Sequence, residues 1–317
     1  MLQTLLAAAL TLLPRGDVLT PGSLAPDLPL LEVPLVDPEG RVLAAHVELA
    51  GGMGPRSESY VGSLAGEPES LVVLSMAGEA LRGSVDSEQG RFRVRGPRGG
   101  PYSMMAVDDT DRPGQEPVLV DLPPSERVGS GRDDGSEIDL LVVFTPKARL
   151  GAGGTDAMRA LVQLGVTQAN AALERSYAGT RVRLVQVAEI DYDEAGDLEG
   201  DLELLQRELD GAADPVHAMR DAYGADLVQL VVDEGGGCGI AYQMTSRSAA
   251  FAPWAFSVVD LGCVDAGFGV AHELAHNLGC DHAPEDAPTG GAFDFSRGYK
   301  DFAAGFRTIM AYGPGTR

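Results

Sequence analysis

Positive charge is scarce in this sequence. Lys and Arg number 24 among 317 residues, against 47 Asp and Glu, for a formal net charge of −23 at pH 7. Such an excess repels phosphate backbones and anionic headgroups, and no local basic stripe offsets it, so nucleic acid and membrane surfaces are excluded as partners. Cysteine is nearly absent as well. Cys238, Cys263 and Cys280 are too few for a disulfide scaffold, show no CxxC spacing for redox or zinc-ribbon use, and leave one thiol over. No run reaches the roughly 18 apolar residues of a membrane span. The nearest approach is residues 2–13, uncharged, mostly apolar and bounded by Pro14 and Arg15. This stretch fits the hydrophobic region of a secretory signal over residues 1–20, which implies export; a buried amino-terminal helix is the other reading. The 41 Gly and 20 Pro follow no triplet period, which excludes a collagenous chain, and 44% hydrophobic content is enough to close a core.

What is present divides along the chain. The length suggests two domains. Residues 21–112 carry short alternating stretches at 42–49, 70–75, 80–85 and 91–95, separated by Gly, Pro and Ser turns, the pattern of a small antiparallel β domain. His46 in the first of these reads as structural. Residues 113–136 are dense in Pro, Gly, Ser and charge and read as an exposed, protease-sensitive linker. From 137 to 317 strands alternate with helices. Near-continuous apolar runs at 138–144 and 226–232 read as buried strands, joined by strands at 181–190, 239–244 and 255–260. Helical spacing appears at 158–175, 198–209 and 215–223. The expected architecture is α+β, with one mixed sheet of four or five strands in the larger domain and an all-β domain before it. Between Glu189 and Asp210 ten acids face a single Arg207. A solvated acidic face explains that run; a calcium-binding or substrate-steering surface is the alternative.

The chemistry is concentrated in His272, Glu273, His276, Gly279 and His282. Residues four apart share a helix face, so His272 and His276 can present imidazoles to one metal ion, while Glu273 hangs over an open coordination position. Gly279 permits the sharp turn that brings His282 round as a third ligand. Three neutral imidazoles with a vacant position suit a single zinc ion. By chance this pattern would arise on the order of once in 100,000 sequences of this length.

The pattern resembles that of the metzincin metalloproteases. Arg307-Thr-Ile-Met310-Ala-Tyr312 is similar to their Met-turn, in which a methionine lies beneath the zinc ligands. Within that clan the region 138–312 resembles a bacterial reprolysin-like group that includes peptidyl-Asp metalloendopeptidases, through Asp139-Leu-Leu-Val-Val-Phe-Thr-Pro146, Ala225-Asp-Leu-Val228 and Cys238-Gly-Ile-Ala-Tyr242. Residues 59–108 are more loosely similar to the β-rich prodomain found upstream of such enzymes.

The resemblance implies a secreted zinc endopeptidase made as a proenzyme, a monomer whose partner is a protein or peptide substrate. In this reading Glu273 is the general base and Tyr312 assists the oxyanion. A peptide substrate adds as a strand along Gly239, Ile240, Ala241 and Tyr242, and Cys238 pairs with Cys263. The sequence departs from the family in three respects. It stops five residues beyond Tyr312, so the helix expected after the Met-turn, and with it the partner of Cys280, is missing and the domain reads as truncated. Ala283 stands where adamalysin-type enzymes tend to have Asp. No cysteine precedes Cys238, so a cysteine switch is impossible and another group must provide latency. A zinc-stabilised binding or structural protein that has lost catalysis is the competing reading, and the intact Glu273 argues against it.

Overall fold

The computed structural model describes residues 31–107, 115–120, 122, 137–208, 211–234, 236–266, 268–287 and 289–313. The expected signal and most of the expected linker lie outside these residues. The chain packs as two units, one of residues 1–109 with 152–171 and the other of 110–151 with 172–317.

The first unit carries a seven-stranded antiparallel meander in sequence order: β1 (Leu31–Val36), β2 (Val42–Gly51), β3 (Ser57–Leu64), β4 (Glu67–Ala77), β5 (Ala80–Ser87), β6 (Gly90–Pro97) and β7 (Ser103–Ala106). Alternation along β2 sends Leu43, Ala45 and Val47 into a core with Leu74, Met76, Val85, Phe92 and Val94. In β4, every residue from Ser70 to Ala77 is buried, so both of its faces are covered. Residues 152–171 belong to the same unit, and Gln168 Nε2 donates to Ser84 Oγ of β5 at 2.9 Å.

The second unit is built on a six-stranded sheet in the order β10-β9-β11-β13-β12-β8. Its strands are β8 (Val118–Val120), β9 (Glu137–Phe144), β10 (Arg181–Glu189), β11 (Leu227–Val232), β12 (Gly239–Met244) and β13 (Phe256–Asp260). All neighbours run parallel except β12 and β13, which are antiparallel. The central strands are apolar throughout because both faces are covered; every residue of β11 is buried. In chain order the α-helices are α1 (Pro146–Ala152), α2 (Thr155–Arg175), most of which lies in the first unit, and then α3 (Leu198–Gln206), α4 (Pro215–Tyr223), α5 (Leu261–Val264) and α6 (Gly269–Asn277) in the second. A small hairpin of β14 (Lys300–Asp301) and β15 (Phe306–Arg307) follows α6. Two expectations are corrected here. The sheet has six strands where four or five were expected. The sixth, β8, lies within 113–136, where composition predicted only exposed linker; Pro117 and Val120 are buried.

Two devices fix α6 beneath the sheet. Asn277 Nδ2 donates to Tyr242 O of β12 at 2.7 Å and to Phe256 O of β13 at 3.0 Å, so one side chain ties the helix to two strands. A disulfide joins Cys238, just before β12, to Cys263 in α5, closing a separation of 25 residues. A loop of that length confers about 3–4 kcal/mol through the unfolded chain's lost entropy. Replacing both cysteines with serine is therefore expected to shift the urea midpoint by the equivalent of about 3 kcal/mol without changing zinc stoichiometry. An unchanged midpoint would show that the bridge constrains nothing.

Candidate metal centre

Helix α6 enters from Phe268, whose backbone is left-handed (φ 60°). One turn separates His272 from His276. Past Leu278, Gly279 takes φ 89°, and Cys280 N–H closes the helix end on Ala275 O at 2.8 Å, which redirects the chain to His282. A Cβ at Gly279 would also lie 2.6 Å from the Ala292 Cβ, so packing demands glycine as much as φ does. All three imidazoles are buried, and their Nε2 atoms converge: 3.0 Å between His272 and His282, and 3.2 Å from His276 to each of the others.

The proton positions follow from the opposite edge of each ring. His272 Nδ1–H donates to Ile309 O and His276 Nδ1–H to Cys280 O, both at 2.9 Å, leaving each Nε2 a bare lone pair. Burial holds His276 down to about 3, with His282 adding to the effect, and burial also holds His282 down to about 4, so both rings are neutral near pH 7. Lone pairs facing one another this closely repel unless a cation lies among them. A point about 2.0–2.1 Å from all three nitrogens, the Zn–N distance, exists just off the plane of a triangle this size. The donor set therefore fits zinc. Among the described residues this triad is the one group of three or more His, Cys, Asp or Glu side chains placed to hold a metal.

Glu273 is buried beside His272. Burial alone pushes its carboxyl well above the usual carboxylate range. A Cβ at Gly239 would lie 2.6 Å from Glu273 Oε1, so glycine at the start of β12 is what lets this carboxylate lie against the strand. Tyr312 Oη lies 2.8 Å from His282 Nε2, and the two rings are tilted at 4.3 Å. Met310 is buried in a turn closed by Ala311 N–H on Thr308 O at 3.1 Å; the Ile309 carbonyl of that turn is the acceptor for His272.

Several supporting residues were not legible in the sequence. Asp281 is fully buried and accepts from His282 N–H at 2.8 Å and from Thr289 Oγ1 at 2.9 Å, fixing the backbone at His282. Asp286 accepts from Tyr312 N–H at 2.9 Å and pairs with Lys300. Arg307 Nη1 donates to Ala311 O at 2.7 Å. Ala283, where the resemblance led us to expect Asp, is buried, and its backbone N lies 2.8 Å from where a Cβ on Gly298 would sit, so the close approach there needs glycine at 298. The acidic run does not form only a solvated face. Asp201 is buried and accepts from Tyr192 Oη at 2.5 Å and Ala195 N–H at 2.8 Å, and Glu194 takes the ammonium of Lys147 at 2.7 Å. The expected substrate strand is also partly covered: Tyr242, Gln243 and Met244 of β12 pair with Val118, Leu119 and Val120 of β8, whereas Gly239, Ile240 and Ala241 do not.

The profile of metallo-peptidase family M12 (Reprolysin_5) matches residues 134–316. The peptidyl-Asp metalloendopeptidase of Xanthomonas campestris pv. campestris is 29% identical over 309 residues, covering 92% of this chain and 72% of that protein. The peptidyl-Asp metalloendopeptidase of Stenotrophomonas maltophilia (strain R551-3) is 28% identical over 258 residues, covering 78% of this chain and 60% of that protein. The chain thus spans less than two thirds of the Stenotrophomonas relative. Among solved structures, metalloproteinase-II from Bacteroides fragilis aligns over 78% of this chain and 80% of its own, with a TM-score of 0.49 and 10% identity.

Proposed function

The chain belongs to metallo-peptidase family M12, and from that premise we propose that it is a secreted zinc endopeptidase made as a proenzyme, with His272, His276 and His282 as ligands and Glu273 as general base. The observation that carries this reading is the convergence of three imidazole Nε2 atoms, those of His272 and His276 left as bare lone pairs, beside one buried carboxylate. When bound there, zinc lowers the pKa of a coordinated water toward about 7 and polarises a carbonyl oxygen.

The protein's own groups account for the rest. Glu273, forced upward in pKa, takes the proton of the attacking water and returns it to the departing amine. Tyr312 offers its hydroxyl to the carbonyl oxygen as negative charge develops there. Met310 supplies an apolar floor, and Gly239, Ile240 and Ala241, which pair with β13 on one side and are not paired by β8 on the other, bind the substrate as an added strand along that second side. The β domain of residues 21–112 serves as the prodomain, and the run at 2–13 as the export signal. The name shared by the curated relatives supports an aspartyl residue at the cleaved bond.

Peptide-library hydrolysis with and without a zinc chelator, with cleavage sites identified by mass spectrometry, tests the reading. Absence of chelator-sensitive cleavage by both the intact chain and a chain cut within 123–136 would overturn it in favour of a binding protein. Tyr312→Phe keeps the ring against His282 and removes only the donor. It should lower kcat about 10²-fold with KM unchanged; an unchanged kcat would make Tyr312 a packing residue.

A further inference from the structure

The acidic run from Glu189 to Asp210 turns some of its carboxylates inward, and at one point it meets an acid from another segment. The loop after β10 reaches the end of β11, where two successive amides each hold a carboxylate: Ala195 N–H donates to Asp201 Oδ1 and Gly196 N–H to Glu234 Oε1, both at 2.8 Å. Asp201 belongs to the first turn of α3, and Glu234 follows β11. Adjacent amides therefore bring the two carboxyl groups side by side. Asp201 is fully buried, and the second oxygens of the pair, Asp201 Oδ2 and Glu234 Oε2, are both buried without a hydrogen-bond partner. Glu194 stands beside them but is satisfied, by Thr145 Oγ1 at 2.7 Å, Asp233 N–H at 2.9 Å and the Lys147 ammonium at 2.7 Å. The one ammonium is thus spent on the carboxylate that already has donors. Burial pushes the Asp201 and Glu234 carboxyls up, and Asp201 and Glu194 push Glu234 further.

We propose that Asp201 Oδ2 and Glu234 Oε2 are ligands of a structural calcium ion, at a second metal site separate from the three histidines. The donors are oxygens only, as a hard cation prefers, with no imidazole or thiolate to select zinc. Calcium accepts six to eight oxygens in a flexible shell, so two carboxylates can anchor it while main-chain carbonyls and water complete the coordination. Magnesium gives up its own waters too reluctantly for so buried a position. The ion compensates two buried oxygens that otherwise lack any donor, and it fastens the 191–197 loop to the end of β11 and to α3. Helix α3 packs against β12 and β13, so the ion steadies the sheet on which α6 rests.

The test titrates calcium into the zinc-loaded full chain by calorimetry. Terbium luminescence excited through Tyr192, whose Oη lies 2.5 Å from Asp201 Oδ1, is the second readout. The expected result is one calcium per chain with a Kd of about 0.1–1 mM, and a melting temperature about 3–10 °C higher in about 10 mM calcium. Glu234→Gln keeps the acceptor for Gly196 N–H and removes the charge; it should weaken both ions about tenfold or more. Asp201→Asn should do the same, and the half-buried Glu234→Gln carries the test alone if Asp201→Asn does not fold. An Asp191→Asn/Glu199→Gln variant changes two exposed acids of the same run and should leave Kd where it was. Absence of calcium binding would overturn the proposal and leave the two carboxyls sharing a proton. A Kd unmoved by Glu234→Gln, or weakened equally by the exposed pair, would overturn it in favour of diffuse counterion attraction. No readout involves hydrolysis, so the outcome is independent of the peptidase reading.

Discussion

Glu273→Gln is expected to lower kcat by about 10³–10⁴-fold while leaving one zinc per chain, measured by peptide turnover and metal analysis. The change is nearly isosteric. It preserves the packing of residue 273 against Gly239, where a single added carbon would already collide with the carboxylate, and it touches none of the three ligands. It removes only the capacity to accept a proton. A second signature belongs to the metal-free protein. Burial raises the Glu273 carboxyl above its ordinary value of 4.5, so the folded state holds that proton more tightly than the unfolded one. The resulting stability penalty is absent below 4.5 and grows as pH rises toward the folded value. Metal-free Glu273→Gln should therefore be more stable than the parent at neutral pH and should lose that part of its pH dependence. Activity within tenfold of the parent would remove Glu273 from the base role.

The convergence of the three histidines could be read from sequence because they are local. Helix periodicity places His272 and His276 on one face, and a single glycine turn brings in His282, so eleven residues contain the whole donor set. Asp281, Asp286, Lys300 and Glu116 could not be found this way. Each acts through a contact 8 to 166 residues away in sequence, from segments with no hydrophobic period. The parallel strands β9 and β11 were legible because burial on both faces leaves unbroken apolar runs. Strand β3 was not, since only Tyr60, Ser59 and Leu64 of its eight residues turn fully inward. Helix α1 did leave a signal: Thr145 Oγ1 caps Ala148 N–H at 2.9 Å, with Pro146 in the first helical position. Strand β8 escaped because a window rich in Pro, Gly and charge conceals three apolar residues, and nothing local reveals that an exposed edge awaits them.

Removing zinc should abolish hydrolysis and lower the melting temperature, and restoring zinc should reverse both. At free zinc about 1,000-fold above Kd, a ligand held only by the folded state contributes about 4 kcal/mol, roughly 8–16 °C for a domain of this size. The size of the shift has a structural cause. Without the ion, three buried Nε2 atoms lie 3.0–3.2 Å apart, and the lone pairs of His272 and His276 face each other with no proton between them, because Nδ1 of each is committed to a carbonyl. His276→Ala relieves that repulsion and removes a ligand together. Its metal-free form should melt near the metal-free parent, after the loss of the Cys280 O acceptor contact is counted, and added zinc should neither raise its melting temperature nor restore turnover. The variant thereby separates the triad from the acidic run between Glu189 and Asp210, which is the chain's densest alternative source of cation ligands. A zinc-dependent shift that survives His276→Ala would place the stabilising ion among those carboxylates. A shift lost in His276→Ala but kept when acids of that run are neutralised assigns both the stability and the chemistry to the three histidines.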